Sequence, residues 1–236
     1  MIKAVFFDWF NTLANYSPPR EELQSRVLSE FGFNVAPDKL LPALLSADKV
    51  LFDLHADNPV TKRPPEEQAK IYAQYQMTIL SEVHIDISSN PDLLPKILKR
   101  TQELYKDIKF VLYDDVIPTL KTIREKDLTI GILTNIESGM EPICKELGLE
   151  PYIDIIVTSG EAGADKPQPK IFLLALEKAG VEANEAIHVG DQPKIDIAGA
   201  KGAGINPLLL DRFNLYSDID DCPVIHQLGE VTGYLQ

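Results

Sequence analysis

Apolar residues near the amino terminus form a short continuous run that ends in one carboxylate, Asp8. A continuous apolar run that ends in a polar turn is typical of a strand buried on both faces of a parallel sheet. The pattern therefore predicts a strand over about residues 3–8. A second run, residues 186–189, ends in the same way at Gly190-Asp191. Because open α/β sheets bind ligands outside the carboxyl ends of their strands, both carboxylates are candidate functional groups.

The pattern changes to helical periodicity between residues 15 and 110. Apolar residues recur there at spacings of three and four, and Pro or Asn residues separate the periodic segments. Helices are predicted over residues 21–31, 37–54, 65–81 and 92–107. This stretch is therefore predicted to be an all-helical insert after the first strand.

Short apolar runs alternate with amphipathic segments in the rest of the chain. Strands are predicted over residues 128–133, 153–158, 186–189 and 206–210, helices over 116–126, 140–147, 170–179 and 195–203, and a terminal strand or helix over 224–228. This alternation implies right-handed βαβ crossovers and a parallel sheet. The predicted fold is α/β, a doubly wound parallel sheet over residues 1–14 and 111–236, with a helical cap over residues 15–110 inserted after the first strand.

Composition and charge narrow the class of protein. The chain of 236 residues is 44% apolar, which is ample for a packed interior, and its net charge of −13 argues against nucleic acid or anionic membrane as a partner. Cys144 and Cys222 form neither a metal-binding motif nor a disulfide framework, and we expect two ordinary buried thiols. No stretch reaches the roughly 20 apolar residues of a membrane span, and the first apolar run meets Asp8 too soon for a signal peptide. We therefore expect a cytoplasmic protein.

Polar side chains follow several of the predicted strands. The candidates for chemistry are Asp8, Thr134-Asn135, Lys166, Asp191 and Asp196. Three carboxylates at strand ends can be explained as a cation site with a nucleophile beside it. Each group alone could cap a helix or form a turn, but independent caps need not converge on one edge of the sheet. The histidines fit no ligand or triad spacing and are assigned to surface or packing positions: His55, His84, His188 and His226.

The order and spacing of these groups resemble the four motifs of the haloacid dehalogenase-like (HAD) hydrolase superfamily. Thr158-Ser159-Gly160-Glu161 leading into Lys166-Pro167-x-Pro169-x-Ile171-Phe172 is similar to the third motif. Gly190-Asp191-x4-Asp196-x2-Gly199-Ala200 is similar to the fourth motif of the phosphatase branch. The resemblance covers the whole predicted core and the position of a type 1 helical cap. It implies a Rossmann-type core and a hydrolase whose cap governs substrate choice.

The resemblance implies a role for each candidate residue. Asp8 is expected to attack phosphorus or carbon and form an aspartyl intermediate. Lys166 is expected to place a positive charge against the nucleophile and the developing anion. Thr12, Thr134 and Asn135, the last through its side chain or its backbone amide, are expected to bind the transferring group.

The same resemblance implies a magnesium site. Its expected protein ligands are Asp8, the backbone carbonyl of Phe10 and Asp191, with Asp196 bound directly or through a second shell. A set of hard oxygen donors favours Mg²⁺ over Zn²⁺. Two like charges about 4 Å apart repel by about 4 kcal/mol at an effective dielectric constant of 20, so Asp191 beside Asp8 also favours a cation. The expected substrate is a small phosphorylated metabolite, and the sequence gives no oligomeric state.

Phe10 departs from the phosphatase pattern, in which a second Asp usually occupies this position. That Asp protonates the leaving oxygen and later activates water against the aspartyl phosphate. Losing a general acid and base typically costs about 10²–10⁴ in rate. The sequence therefore predicts a preference for acyl or aryl phosphates, whose leaving groups need little protonation.

The sequence leaves open three alternatives to a phosphohydrolase. The 2-haloacid dehalogenases also lack the second Asp and act on halogenated metabolites, but they work without metal and carry other residues where this chain has Gly190-Asp191-Gln192. Phosphonoacetaldehyde hydrolases use a cap lysine that forms a Schiff base, for which Lys49 is a candidate. A scaffold without acid and base could also be a catalytically weak protein that binds a phosphorylated ligand, although the presence of Asp8 and Lys166 argues against it.

Overall fold

Parallel strands from both ends of the chain form the main sheet of the computed structural model, which describes all 236 residues. The strands are β1 Ala4–Phe7, β2 Ala14–Ser17, β3 Lys109–Leu112, β4 Thr129–Thr134, β5 Ile155–Thr158, β6 Ala186–Gly190, β7 Asn206–Leu210 and β8 Val224–Ile225. Six of them lie in the order β5-β4-β1-β6-β7-β8, and every neighbouring pair is parallel. The predicted α/β fold with a doubly wound parallel sheet is confirmed.

Nine α-helices connect and flank the strands. They are α1 Arg20–Glu30, α2 Pro37–Asp57, α3 Pro65–Glu82, α4 Leu93–Tyr105, α5 Val116–Arg124, α6 Met140–Glu146, α7 Ser159–Ala162, α8 Pro169–Ala179 and α9 Ala198–Gly202. Short 3₁₀-helices cover Val60–Lys62, Ala183–Glu185 and Leu228–Tyr234, and a π-helix covers Pro193–Ile197. The chain divides into two compact units, one of Met1–Asn15 with Val111–Gln236 and one of Tyr16–Phe110.

Strand β1 lies at the centre of the main sheet and is fully buried along its length. Phe7, its last residue, is paired with Ile132 of β4 on one side and with Val189 of β6 on the other. The later strands are added outward in both directions, so the chain reverses its direction of winding at β1. In sheets of this kind, the crevice at the carboxyl ends of the strands on either side of that reversal is where ligands bind. Asp8 and Asp191 follow the two strands that meet there.

Helix α8 packs its apolar face on the sheet and joins one core cluster with β1, β4 and β5. Gly131 of β4 allows the close packing of this layer, since a Cβ atom there would lie 2.7 Å from a side-chain carbon of Ile155 and 2.9 Å from the Phe6 ring. The helical unit has a separate core, contributed by α1 to α4. Its buried residues include Val27, Leu28, Leu40, Leu44, Ile79, Leu80 and Ile97.

The structure corrects several predicted elements. Ala14–Ser17 and Lys109–Leu112 pair as a two-stranded sheet, which the sequence did not predict because four-residue segments of mixed burial show no clear alternation. The single helix predicted over residues 195–203 is a π-helix followed by α9. In that wider turn the backbone N–H groups of Asp196 and Ile197 both donate to the carbonyl of Gln192, at 2.8 and 3.3 Å.

Two expectations drawn from composition, on the cysteines and on membrane spans, can be compared with the structure. Neither cysteine forms a disulfide, but Cys222 is partly exposed, so the expectation of two buried thiols holds for Cys144 alone. None of the helices combines the length and the apolar character that crossing a membrane requires.

The helical unit contains a buried ion pair among its apolar side chains. Both guanidinium nitrogens of Arg20 donate to the Asp48 carboxylate, at 3.0 and 2.7 Å, and the Tyr75 hydroxyl donates to the same carboxylate at 2.8 Å. Arg20 is 7% exposed and Asp48 is 5% exposed. Each charge therefore depends on the other for compensation, because little water reaches either of them.

We predict that Asp48→Ala lowers the free energy of unfolding by about 3–5 kcal/mol, because it removes the buried carboxylate that both Arg20 guanidinium nitrogens and the Tyr75 hydroxyl bind. Urea denaturation measures the effect. Combining Arg20→Met, Asp48→Leu and Tyr75→Phe should recover most of the loss, since both buried charges and the hydroxyl that binds them are then removed together. A loss below about 1 kcal/mol for Asp48→Ala would contradict the prediction and indicate a pair that water already screens.

Candidate active site

A buried lysine joins two of the three carboxylates at the carboxyl edge of the sheet. The backbone N–H of Asp8 donates to the carbonyl of Val189 at 2.8 Å, which fixes Asp8 beside the end of β6. Lys166 Nζ lies 2.5 Å from Asp8 Oδ1 and 2.7 Å from Asp196 Oδ1. Lys166 is only 2% exposed, so both contacts form almost out of reach of water. The structure thus brings together three predicted site residues that are far apart in sequence.

The loop that carries Lys166 is held by the side chain of Asn135, at the end of β4. Asn135 Oδ1 accepts a hydrogen bond from the backbone N–H of Lys166 at 2.7 Å, and Asn135 Nδ2 donates to the Lys166 carbonyl at 3.1 Å. Both polar groups of this side chain therefore bind the loop.

Two threonines lie at the same edge of the sheet. Thr134 is buried and its Oγ1 accepts a hydrogen bond from the backbone N–H of Ile136 at 3.2 Å, which leaves its hydroxyl proton to donate elsewhere. Thr12 is fully buried and its Oγ1 has no hydrogen-bond partner. A buried hydroxyl without a partner is costly, so Thr12 is suited to meet a polar group of a ligand.

Asp8, Asp191 and Asp196 form an acidic cluster. Each offers one carboxylate oxygen, and the three oxygens lie within 4.8 Å of one another. Asp191 Oδ2 accepts hydrogen bonds from Gln192 Nε2 at 2.6 Å and from Asn11 Nδ2 at 3.3 Å. These neutral donors orient Asp191 without neutralising it. Lys166 is therefore the one cation in hydrogen-bond contact with the cluster.

The charges in the cluster shift one another's pKa values. Burial raises the pKa of Asp8 to about 6, although Lys166 opposes the shift. Burial, followed by the charges of Asp8 and Asp196, raises the pKa of Asp191 well above its ordinary value. Burial would also raise the pKa of Asp196, but the Lys166 charge and a hydrogen bond from His188 lower it to about 2. Asp196 is thus the firmly ionised partner of Lys166, whereas Asp8 and Asp191 lack sufficient positive charge around them.

The structure places His188 in contact with this cluster, which the assignment to a surface or packing position missed. His188 is fully buried, and its Nε2 lies 3.1 Å from Asp196 Oδ1. Its ring also packs edge-on against Phe172, with the ring centres 5.1 Å apart. The sequence did contain a signal, because His188 is a polar residue on a strand predicted to be buried on both faces. The spacing of the histidines, however, did not identify Asp196 as its partner.

Arg212, just after β7, was also missed. Its two terminal nitrogens each donate to a different oxygen of Asp115 at 2.9 Å, and Nη2 donates to the carbonyl of Thr12 at 2.9 Å. Its guanidinium carbon lies 4.1 Å from the centre of the Tyr113 ring. Arg212 therefore anchors the loop after β1. Arg212 lies two residues after the end of a predicted strand, and this position was a signal in the sequence, since the other site residues also lie near strand ends.

Two further residues considered from the sequence have clear locations. Phe10 is partly buried in the loop after β1 and forms an isolated bridge with Ala14. Lys49 is exposed on α2 of the helical unit.

The fold and the site define a doubly wound α/β protein with a buried carboxylate–lysine cluster at its ligand-binding edge. The family model of the haloacid dehalogenase-like hydrolases matches residues 2–204. The chain therefore belongs to the haloacid dehalogenase-like hydrolases and is a hydrolase, as the sequence motifs indicated.

Relatives of the chain include proteins with phosphatase and dehalogenase names. A glyceraldehyde 3-phosphate phosphatase of Methanopyrus kandleri is 31% identical over 228 residues, which cover 93% of this chain and 88% of the relative. A ribulose-1,5-bisphosphate 5-phosphatase of Halopiger xanaduensis is 38% identical over 101 residues, or 42% of each chain. The structure of a 2-haloacid dehalogenase from Pseudomonas syringae pv. Tomato DC3000 is 26% identical, with a TM-score of 0.57, and the match covers 100% of this chain and 98% of that one.

We predict that the Asp8 carboxyl titrates with a midpoint near pH 6 in the metal-free protein, instead of near its ordinary 3.8. Because the native state binds this proton more tightly than the unfolded state, the contribution of Asp8 to stability should fall as pH rises from about 4 to about 6. Carboxyl ¹³C NMR measures the midpoint, and Asp8→Asn identifies the signal. Lys166→Met should move the midpoint to higher pH, and a midpoint below 4 in the unmodified protein would contradict the prediction.

Proposed function

We propose that the chain is a Mg²⁺-dependent phosphohydrolase that acts on a small phosphorylated metabolite through an aspartyl-phosphate intermediate. The observation that carries the proposal is the contact of Asp8 with Lys166 inside an acidic cluster that includes Asp191. The names of two relatives, which give glyceraldehyde 3-phosphate and ribulose-1,5-bisphosphate as substrates, support a phosphorylated substrate. Thr12, Thr134 and Asn135, the last through its side chain or its backbone amide, are the proposed donors to its phosphoryl oxygens.

The acidic cluster fits a divalent cation with hard oxygen ligands. Its donors are carboxylates, which suit Mg²⁺ better than Zn²⁺. The raised pKa values of Asp8 and Asp191 indicate that added positive charge would stabilise their ionised forms. We propose Asp8, Asp191 and the carbonyl of Phe10 as protein ligands. Bound there, Mg²⁺ would neutralise charge on the transferring phosphoryl group.

Asp196 has a different proposed role within the cluster. Its Oδ1 accepts hydrogen bonds from Lys166 and His188, and its Oδ2 accepts one from the backbone N–H of Gln192 at 3.1 Å. With both oxygens engaged, Asp196 is better placed to hold Lys166 than to bind the ion directly. Of the two roles expected from the sequence, the contacts favour the second shell.

The proposed chemistry begins with Asp8 as the nucleophile. Lys166 binds Asp8 Oδ1, and the other carboxylate oxygen remains to attack phosphorus in line with the leaving oxygen. The O–P bond to Asp8 forms as the bond to the leaving group breaks. The buried Lys166 charge stabilises the anion that develops, since its interaction is stronger away from water. Water then attacks phosphorus, the O–P bond to Asp8 breaks to regenerate the carboxylate, and inorganic phosphate leaves with the proton of the water.

Phe10 limits which leaving groups this site can expel. Its side chain can neither protonate a leaving oxygen nor take a proton from water. Alkoxide leaving groups need that proton, whereas acyl and aryl phosphates release weakly basic anions. We therefore propose that activated phosphates are the better substrates of this enzyme.

Dehalogenation of a 2-haloacid is the second candidate function. Phe10 favours it, because halide leaves without a proton, and a dehalogenase structure is among the similar proteins. The cluster argues against it, since a metal-free mechanism leaves Asp191 beside the nucleophile with no cation to offset its charge. Chloride release from 2-chloropropionate in excess chelator would favour this function over phosphate transfer.

We predict that the protein releases phosphate from acetyl phosphate and p-nitrophenyl phosphate only when Mg²⁺ is present. Asp8→Asn should abolish the release, because an amide is a poor nucleophile. Phosphate assays with and without chelator measure both effects. Asp86→Asn, which changes an exposed carboxylate in the helical unit, is the matched control and should leave turnover unchanged. Release that persists in chelator or in Asp8→Asn would refute the proposal.

We predict that Phe10→Asp increases turnover of alkyl phosphates more than turnover of aryl phosphates. The new carboxyl group would supply the proton that alkoxide leaving groups require, and general acid–base catalysis is typically worth about 10²–10⁴ in rate. The kcat values for glycerol phosphate and p-nitrophenyl phosphate give the comparison. Phe10→Asn, similar in size but without an acid, is the control; an equal gain in both variants would rule out proton transfer as the cause.

A further inference from the structure

The carboxylate of Asp196 lies directly against strand β6. Successive side chains of a strand point to opposite faces, so His188 and Gly190 share one face of β6. A Cβ atom at Gly190 would overlap the Asp196 carboxyl group. The missing side chain at Gly190 therefore makes room for the carboxylate, and His188, two residues earlier, reaches its Oδ1 with Nε2 at 3.1 Å.

In the observed orientation of the His188 ring, only one of its two nitrogens has a polar partner. Its Nδ1 is buried and has no hydrogen-bond partner, while Nε2 faces an ionised carboxylate that can only accept. The Nε2 atom must therefore carry the proton and donate it to Asp196. An apolar residue would fill this position without burying an unpaired ring nitrogen, so packing against Phe172 does not by itself explain a histidine here.

Asp196 connects His188, through Lys166, to Asp8, the proposed nucleophile. Its Oδ1 accepts from both His188 Nε2 and Lys166 Nζ, and the same Nζ donates to Asp8. A rotation of the Asp196 carboxylate would move the acceptor that holds Lys166. The only donors that fix this carboxylate besides Lys166 are His188 and the backbone N–H of Gln192.

From this arrangement we infer that His188 is a positioning residue for the nucleophile, acting through Asp196 and Lys166. The inference rests on the proposed function, in which Asp8 attacks and Lys166 stabilises the anion. His188 touches neither of them, so it changes the rate by fixing where the Lys166 charge lies. Because substrate groups away from the reacting atoms are unaffected, its loss lowers kcat much more than it alters KM.

Two substitutions of His188 and one matched control test the inference. His188→Leu removes the donor, and we expect kcat for p-nitrophenyl phosphate to fall about 10–100-fold, the usual loss when an outer-shell partner is removed. His188→Gln keeps an N–H donor of similar reach and should restore most of kcat. Phe172→Leu removes the aromatic packing partner but leaves Asp196 bonded, and it should lower Tm without a comparable loss of kcat. Equal kcat values for His188→Leu and His188→Gln, or a kcat loss that follows Tm in all three variants, would overturn the inference.

A spectroscopic measurement decides the inference independently of turnover. In ¹⁵N NMR of protein labelled at histidine and lysine side chains, the His188 proton should reside on Nε2, and the Lys166 Nζ signal should shift in His188→Leu. A proton on Nδ1, or a Lys166 signal that does not respond, would overturn the positioning role. If the unmodified protein hydrolyses no phosphate, the proposed function fails, and these NMR results still show whether His188 sets the position of Lys166.

Discussion

The arrangement of the site depends on one buried cation, the Lys166 ammonium, held between Asp8 and Asp196. A charge that is 2% exposed is stable only when other groups replace the water it has lost, so both carboxylates must lie within hydrogen-bond distance. Other residues help to bring Lys166 and the two carboxylates into this arrangement. Asn135 binds the backbone on both sides of the Lys166 residue, and Gly190 leaves space for the Asp196 carboxylate. The position of a single nitrogen atom thus links the ends of β1, β4 and β6.

The same sheet edge concentrates more negative charge than one lysine can offset. Parallel strands end at a common edge, and the strand order places β1 and β6, with their following carboxylates, side by side. The Lys166 charge helps to lower the pKa of Asp196, which stays ionised. Burial raises the pKa values of Asp8 and Asp191. This uneven distribution has a chemical consequence. With its raised pKa, the Asp8 carboxyl group is partly protonated near neutral pH, and a cation at the cluster would return it to the ionised form that the proposed nucleophilic role requires.

The sequence predicted those parts of the structure that depend on local pattern. Asp8 and Asp191 follow continuous apolar runs, and the alternation of strands and helices was enough to give the parallel sheet. The contacts it missed depend on pairs that lie far apart in the chain. Arg20 and Asp48 are 28 residues apart, Arg212 reaches back 200 residues to Thr12, and nothing in the local sequence of either pair signals the other. His188 is a different case, because its partner is only eight residues away but sits in a π-helical turn that an α-helical pattern does not describe.

Phe10 separates two functions that phosphatases of this family usually combine at neighbouring positions. The groups that stabilise charge are all present, since Asp8, Lys166 and Asp191 lie together in the cluster. The group that moves a proton is absent, and in the proposed mechanism this would cost about 10²–10⁴ in rate in each step that needs a proton transfer. A leaving group that is already a weak base would avoid this cost in the first step, whereas hydrolysis of the aspartyl phosphate lacks a base for every substrate. If the proposed function holds, Phe10 would therefore select against basic leaving groups, and the site would discriminate among phosphates by their chemistry even where their shapes are alike.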